Sequence, residues 1–162
     1  MYRLGQQVLT DAGYQHYEIS NYAKKGYQCS HNRVYWQNDA YYGFGMGAAS
    51  YVEGKRFTRP RTRREYYAWV EAGGIIDIPV TSATDYILET LMLGLRLAEG
   101  VNLSQFSPEV KIKIKDCLQP YRDRGWVEFL EIDATERLKL NDPEGFLFSN
   151  TILATLFDLL DV

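Results

Sequence analysis

From Ser82 onward the apolar residues keep a helical period, and this period limits the possible folds more than any other feature of the chain. Ile87, Leu88, Leu91, Met92 and Leu95 form one stripe at helical spacing, the pattern of an amphipathic helix with one buried face. Ser82, with Asp85 three residues later, is similar to a capping box and sets the start. Glu99-Gly100 sets the end. Ser107-Pro108-Glu109 predicts a second helix start, with proline at the first helical position. The VKIKIK that follows alternates like a strand, but the start signal and the later Cys117, Leu118 and Tyr121 favour a helix, disturbed at Pro120 and stopped at Gly125. Trp126–Ile132 and Glu136–Leu140 read as two strands around Asp133-Ala134. Asp142-Pro143-Glu144 opens a last helix with Phe146, Ile152, Leu153, Leu156 and Leu160 inward. Helix, helix, hairpin, helix is the order of a small winged-helix-like domain.

The first half reads differently. Leu4, Val8 and Leu9 predict a helix over residues 2–12 that ends at Gly13, followed by a short strand from Tyr14 to Ser20. Helix, glycine, strand is the αβ step of a parallel α/β protein. A lone step of this kind reads as the middle of a larger domain. Residues 21–40 look like loop. Residues 41–52 read as a strand, a turn rich in glycine (Gly43, Gly45, Gly47) and an extended exit. Glu65–Ala72 is a short helix with Tyr66, Trp69 and Val70 on one face. Ile75–Thr81, with Pro79 near its end, is the candidate linker. The expected division is therefore 1–80 and 81–162.

Charge supports two units. Residues 1–80 carry 10 Lys/Arg against 7 Asp/Glu, and residues 81–162 carry 8 against 14. The balances of +3 and -6 sum to the net charge of -3. Most of the 13 tyrosines lie in the first half, where such side chains build a dense core or a flat binding wall. The two cysteines, Cys29 and Cys117, form no close-spaced pair, so they read as reduced thiols of a cytoplasmic protein. No apolar run approaches the ~18 residues of a membrane span, and the N-terminus is an amphipathic helix rather than a signal peptide.

Three stretches could carry chemistry. His31-Asn32-Arg33-Val34-Tyr35-Trp36 places a histidine on a polar stretch beside Tyr and Trp. Heme needs an axial ligand and an aromatic wall, and this run offers both; a histidine bonded to nearby backbone is the plainer reading. His16 alternates with Tyr17 on the strand and reads as structural. Gly43, Gly45 and Gly47 allow a close backbone approach, but no helix follows as a dinucleotide fingerprint requires. Lys55, Arg56, Arg59, Arg61, Arg63 and Arg64 could meet phosphates or propionates, or form a solvated face. A nucleic-acid-binding winged module is disfavoured by the -6 charge of the unit that would bind. No acid pair or nucleophile–base set stands at a convincing spacing.

Taken together, the motifs resemble a known family. Tyr17-Glu18-Ile19-Ser20-Asn21-Tyr22-Ala23 resembles the YEISNFA segment of radical S-adenosylmethionine proteins of the HemW heme-chaperone and oxygen-independent coproporphyrinogen III oxidase family. His31 to Trp36 matches HNxxYW, and Tyr42 to Ser50 looks like GFGPGAHS with Met46 and Ala49 in place of Pro and His. Glu89 to Arg96 is similar to the helix that opens the family's C-terminal domain. The resemblance implies an α+β chain: the end of a partial (β/α) radical S-adenosylmethionine barrel, then a mainly helical winged-helix-like domain. It implies heme binding in the HemW branch, at His31 as metal ligand with Asn32, Tyr35 and Trp36, and glycines 43, 45 and 47 near a cofactor. It implies a [4Fe-4S] cluster and S-adenosylmethionine in the full-length proteins, held through CxxxCxxC, which this sequence lacks. Radical chemistry by this chain alone is therefore not expected. The alternative within the family is a coproporphyrinogen III oxidase fragment of porphyrin biosynthesis. The implied partners are heme or porphyrin and the N-terminal barrel segment, with homodimerisation as another way to cover apolar surface on residues 1–80.

Overall fold

The computed structural model describes residues 1–76 and 81–160. The first part contains α1 (Tyr2–Asp11), β1 (Gln15–Glu18), β2 (Asn21–Ala23), α2 (Ser30–Trp36), β3 (Ala49–Val52), β4 (Lys55–Thr58) and α3 (Arg63–Glu71). Gly13, at φ +82°, ends α1 as its sequence predicts. Among the described residues the strand that follows makes no parallel pairing. β1 turns back on itself and pairs antiparallel with β2, His16 opposite Tyr22. Only Ile19 and Ser20 separate the strands, and so short a connection can join antiparallel neighbours but not make a crossover.

Two further elements went unseen in the sequence. α2 lies in the stretch read as loop, because Ser30, His31, Asn32 and Arg33 give no apolar stripe. β4 lies under the basic run and pairs with β3, Ser50 opposite Phe57. Glu53 and Gly54, both at positive φ, turn the chain between them. The strand expected at residue 41 is reduced to a single bridge from Tyr41 to Tyr51, and the extended exit after the glycine turn is β3. α3 starts two residues before the expected Glu65, because the Thr62 hydroxyl oxygen caps it by accepting from the Glu65 backbone N–H at 3.3 Å. Part of the candidate linker, residues 77–80 with Pro79, lies outside the described residues.

The second part follows its sequence in the helix starts and the hairpin, while its first helix ends at Gly94, short of the expected Glu99-Gly100, and a short strand and a 3-10 turn follow where none was expected. It contains α4 (Ala83–Gly94), β5 (Val101–Asn102), a 3-10 turn (Leu103–Gln105), α5 (Pro108–Asp123), β6 (Val127–Ile132), β7 (Thr135–Leu140), α6 (Glu144–Leu147) and α7 (Ser149–Leu160). Ser82 accepts from the Asp85 backbone N–H at 3.1 Å, and Ser107 caps α5 in the same way. Pro120 sits inside α5 without breaking it, and the chain leaves the helix before Gly125 at φ +71°. Asp133 and Ala134, at φ +49° and +58°, form the tight turn of the hairpin. β5, β7 and β6 make one antiparallel sheet in that order. The last helix is split, with Phe148 at φ -103° and ψ 16° between α6 and α7. Ile152 and Leu156 point inward as expected, while the Leu160 side chain lies outside the described residues. Leu91, Leu95, Ile114, Leu118, Leu138, Phe146, Ile152 and Leu156 form one continuous core. Full burial of a side chain of this kind is worth roughly 1.5–3 kcal/mol.

The two parts meet along the end of β1 and the exit of α4. The Ile19 N–H donates to the Arg96 carbonyl at 2.9 Å, and the Ala98 N–H to the Tyr17 carbonyl at 3.0 Å. Glu18 is fully buried there. Its carboxylate accepts from the Asn21 amide and from the Ser20 N–H, and Arg96 lies 3.6 Å away. His16 is structural, as its alternation suggests: its ring stacks on Tyr22 with centroids 4.0 Å apart and meets Phe146 edge-on at 5.0 Å. Its Nδ1 stands 3.0 Å from an Asp142 oxygen, an approach without hydrogen-bond alignment. The neighbouring Tyr2 phenol has its pKa raised, first by burial and then by the Asp142 charge.

Candidate functional site

α2 carries the HNxxYW residues and is pinned at both ends. The Cys29 carbonyl accepts from the Arg33 N–H at 3.1 Å, and Asn38, at φ +56°, ends the helix. Arg33 donates to both oxygens of Glu99 at 2.9 and 3.0 Å and to Gln28 at 2.6 Å. One guanidinium nitrogen meets both carboxylate oxygens and the other meets Gln28, so the charge-assisted contacts hold Arg33 from two sides. Trp36 lies beneath the Arg96 guanidinium, 4.3 Å from its centroid. With Met92, Leu93, Leu153 and Phe157 it lines an apolar groove of about 440 Å³. The Trp36 indole N–H is buried without a partner among the described residues.

His31 and Tyr35 form a separate pair. His31 is exposed. Its Nε2 lies 3.1 Å from the Tyr35 hydroxyl, and the two rings meet edge-on, 4.9 Å apart at 88°. Tyr35 is in turn edge-on to Tyr41 at 4.5 Å. Tyr41 exchanges both backbone hydrogen bonds with Tyr51, at 2.8 and 2.9 Å. The Tyr41 hydroxyl accepts from Arg56 at 3.0 Å, and Arg56 also donates to Glu89 on α4 and to Asn38. Tyr51 packs under the same guanidinium and has its pKa raised, chiefly by burial. Of the residues singled out in the sequence, His31 and Tyr35 come together, Trp36 contacts Arg96 instead, and Asn32 is half-buried. Tyr41, Arg56 and Glu89 were missed as parts of one constellation; no spacing in the sequence joins residues from β4 and α4 to the end of α2.

The glycine stretch is a compact loop. A Cβ on Gly43 would fall 2.1 Å from the Ala49 carbonyl oxygen, so this glycine is needed for the chain to pack on itself. Gly45 and Gly47 both have positive φ, and the Gly47 N–H donates to the Pro60 carbonyl at 2.9 Å. Tyr42, Phe44 and Met46 alternate with the glycines and are exposed, Phe44 by 84%. The basic run is not one face. Arg56 is tied to Glu89, Arg59 donates to Ser50 at 2.9 Å and sits near Phe44, Phe57 and Trp69, and Arg61 backs Gly47.

The donor set fits a single axial imidazole and does not fit an iron–sulfur cluster. A heme iron takes one exposed histidine with flat apolar groups nearby, and His31 with Tyr35 and Tyr41 has that chemistry. A cluster held through CxxxCxxC takes three thiolates from one short segment, and the two cysteines here, Cys29 and Cys117, are 88 positions apart. Among the described residues no three His, Cys, Asp or Glu side chains come together as a metal site. Among them, too, no helix is long and apolar enough to cross a membrane.

Residues 81–147 match the family model described as the HemN C-terminal domain. The fold agrees: the structure superimposes on the coproporphyrinogen III oxidase HemN of Escherichia coli, described as a radical SAM enzyme, with a TM-score of 0.67 over 95% of this chain and 39% of that one. At 15% identity this likeness shows the fold alone. The chain belongs to the HemN- and HemW-like radical S-adenosylmethionine proteins, and its α+β architecture is that of their C-terminal part. Within that family it is similar to proteins named heme chaperone HemW. The relative from Synechocystis is 47% identical over 99% of this chain and 43% of its own length. Those from Lactococcus lactis and Escherichia coli are 35% and 30% identical, each over 94% of this chain and 40% of their own length. The chain thus spans about two fifths of the relatives it matches.

Proposed function

We propose that this chain is the C-terminal part of a heme chaperone and that it contributes a heme-binding element centred on His31. The observation that carries the reading is the exposed His31 imidazole held edge-on against Tyr35, with Tyr41 behind it. Bound there, heme would be held through the His31 imidazole and would supply an iron centre that takes a nitrogen ligand. The chain's own residues would do the rest. Tyr35 and Tyr41 set the ring, while the exposed Tyr42 and Phe44 offer flat apolar surface. The similarity to HemW proteins supports heme as the cargo, and the S-adenosylmethionine and [4Fe-4S] cluster of the family are assigned to sequence outside this chain. The engagement of Arg56 by Glu89 and of Arg59 by Ser50 weighs against a nucleic-acid-binding module.

Leu4 and Val8 on α1 are 68% and 58% exposed, which supports a protein surface covering them. Barrel strands such as those of the longer relatives are the occupant we favour, and light scattering of this chain over a concentration series distinguishes them from a second copy. For heme, the test is titration of the chain with hemin, followed by the Soret band. The expected result is saturable binding that weakens at least tenfold in His31→Ala; superimposable curves for the two proteins would remove His31 from the site.

A further inference from the structure

We infer that Tyr35 is a reversible cap on the ligand nitrogen of His31, so that its hydroxyl and an incoming iron compete for the same lone pair. The inference rests on the proposal that His31 ligates heme. Tyr35 follows His31 by four positions on α2, which places the two side chains one above the other on the same helical face. The hydroxyl reaches Nε2, the ring nitrogen farther from the backbone and so the less hindered one for a bulky ligand. A neutral imidazole has one lone pair. When the tyrosine O–H donates to Nε2, the ring proton stands on Nδ1 and the lone pair is occupied.

The cap is itself held in place. Tyr35 cannot swing freely, because Tyr41 abuts its ring, Arg56 bonds the Tyr41 hydroxyl, and Glu89 of α4 holds Arg56 at 3.1 Å. Each uncapping event therefore restores readily, since the hydroxyl remains beside the ring it leaves. For coordination at Nε2, one hydrogen bond breaks and one iron–nitrogen bond forms; the Nδ1 proton stays, and no electron moves. A carrier must release its cargo, and a competing internal donor weakens binding by the fraction of time the ligand atom is free.

The experiment uses the 162-residue chain in four forms: wild type, Tyr35→Phe, His31→Ala and the double variant. Phenylalanine keeps the ring against Tyr41 and removes the hydroxyl alone. Hemin affinity is read from the Soret band, and hemin loss from transfer to excess apomyoglobin. Tyr35→Phe is expected to bind hemin roughly two- to tenfold more tightly and to release it correspondingly more slowly, the equilibrium weight of one ordinary hydrogen bond. The same substitution in the His31→Ala background is expected to change nothing. An equal or weaker affinity for Tyr35→Phe, with His31→Ala still impaired, overturns the cap while leaving the histidine as ligand. Full binding by His31→Ala overturns the parent proposal. Nitrogen-15 spectra of the ligand-free wild type give an independent reading: the Nδ1–H tautomer of His31 is expected, and a dominant Nε2–H tautomer overturns the cap.

Discussion

Ile114, Leu118, Leu138 and Leu156 of the C-terminal part are fully buried, whereas α1, α2 and α3 of the N-terminal part bury no residue at all. The two regions are stabilised by different means. The C-terminal region has a continuous apolar core under a three-stranded sheet and four helices. The N-terminal region consists of two hairpins and three short helices tied to its neighbour by backbone pairing and ion pairs. The charge asymmetry of the sequence is spent on those ties. Arg3, Arg33 and Arg56 of the positive part meet Glu144, Glu99 and Glu89 of the negative part. Half-exposed pairs such as Arg33–Glu99 and Arg56–Glu89 contribute only about 0–1 kcal/mol each. They orient the N-terminal region more than they stabilise it.

The contrast can be broken most directly in the core. Leu118→Ala should destabilise the C-terminal region by about 2–5 kcal/mol, because a fully buried side chain leaves a cavity. Chemical denaturation followed by circular dichroism measures it, and a loss below about 1 kcal/mol would mean that this region is not the rigid half.

Thiol labelling sharpens the comparison without mutation. Cys117 sits half-buried on α5, and burial together with the Asp116 charge pushes its pKa up to about 11. At pH 8 only about one part in a thousand would be thiolate. Cys29 is exposed at the start of α2. Iodoacetamide should modify the exposed Cys29 at least about tenfold faster, since the Cys117 thiol is half-buried and its thiolate is scarce. Comparable rates, read by peptide mass spectrometry, would show that α5 opens as readily as the N-terminal region.

Smaller effects test the edges of the C-terminal region. Ser82→Ala removes the cap of α4 and should cost about 1 kcal/mol; a full effect in thermal unfolding places the start of α4 within the cooperative unit. Lys115→Ala should cost a few tenths of a kcal/mol, as expected for a surface pair. Its pH dependence has a definite sign. Glu136 has its pKa lowered, first by the hydrogen bond from Lys115, so its folded value lies below the unfolded one. The stabilisation is present above the unfolded value and disappears as pH falls through the folded value. Wild type and variant should therefore differ near neutral pH and converge in acid; a difference that grows in acid would contradict the pairing.

The sequence by itself determined the starts of α4 and α5 and the β6–β7 hairpin, but neither the end of α4 at Gly94 nor the short β5 and 3-10 turn after it. Ser82, Ser107 and the Asp133-Ala134 turn carry their own local signals, and Leu91, Leu95, Ile114 and Leu118 lie at the period of helices with one buried face. There the local pattern and the core agree, so reading one reveals the other. Pro120 misled only because α5 continues past it, supported by the burial of Ile114 and Leu118. The sequence also singled out His31 and Tyr35 by their chemistry. Only the tertiary structure decided that they stand together on a helix while Trp36 contacts Arg96. α2 is polar over most of its turn and has no apolar stripe. Its anchors come from Glu99, 66 residues from Arg33, and from Arg96. Likewise β1 pairs antiparallel with β2, and Gly43 is needed because the Ala49 carbonyl approaches it. Where an element is held by distant partners and not by its own buried face, the period that makes sequence legible is absent, and the long-range contacts set its conformation.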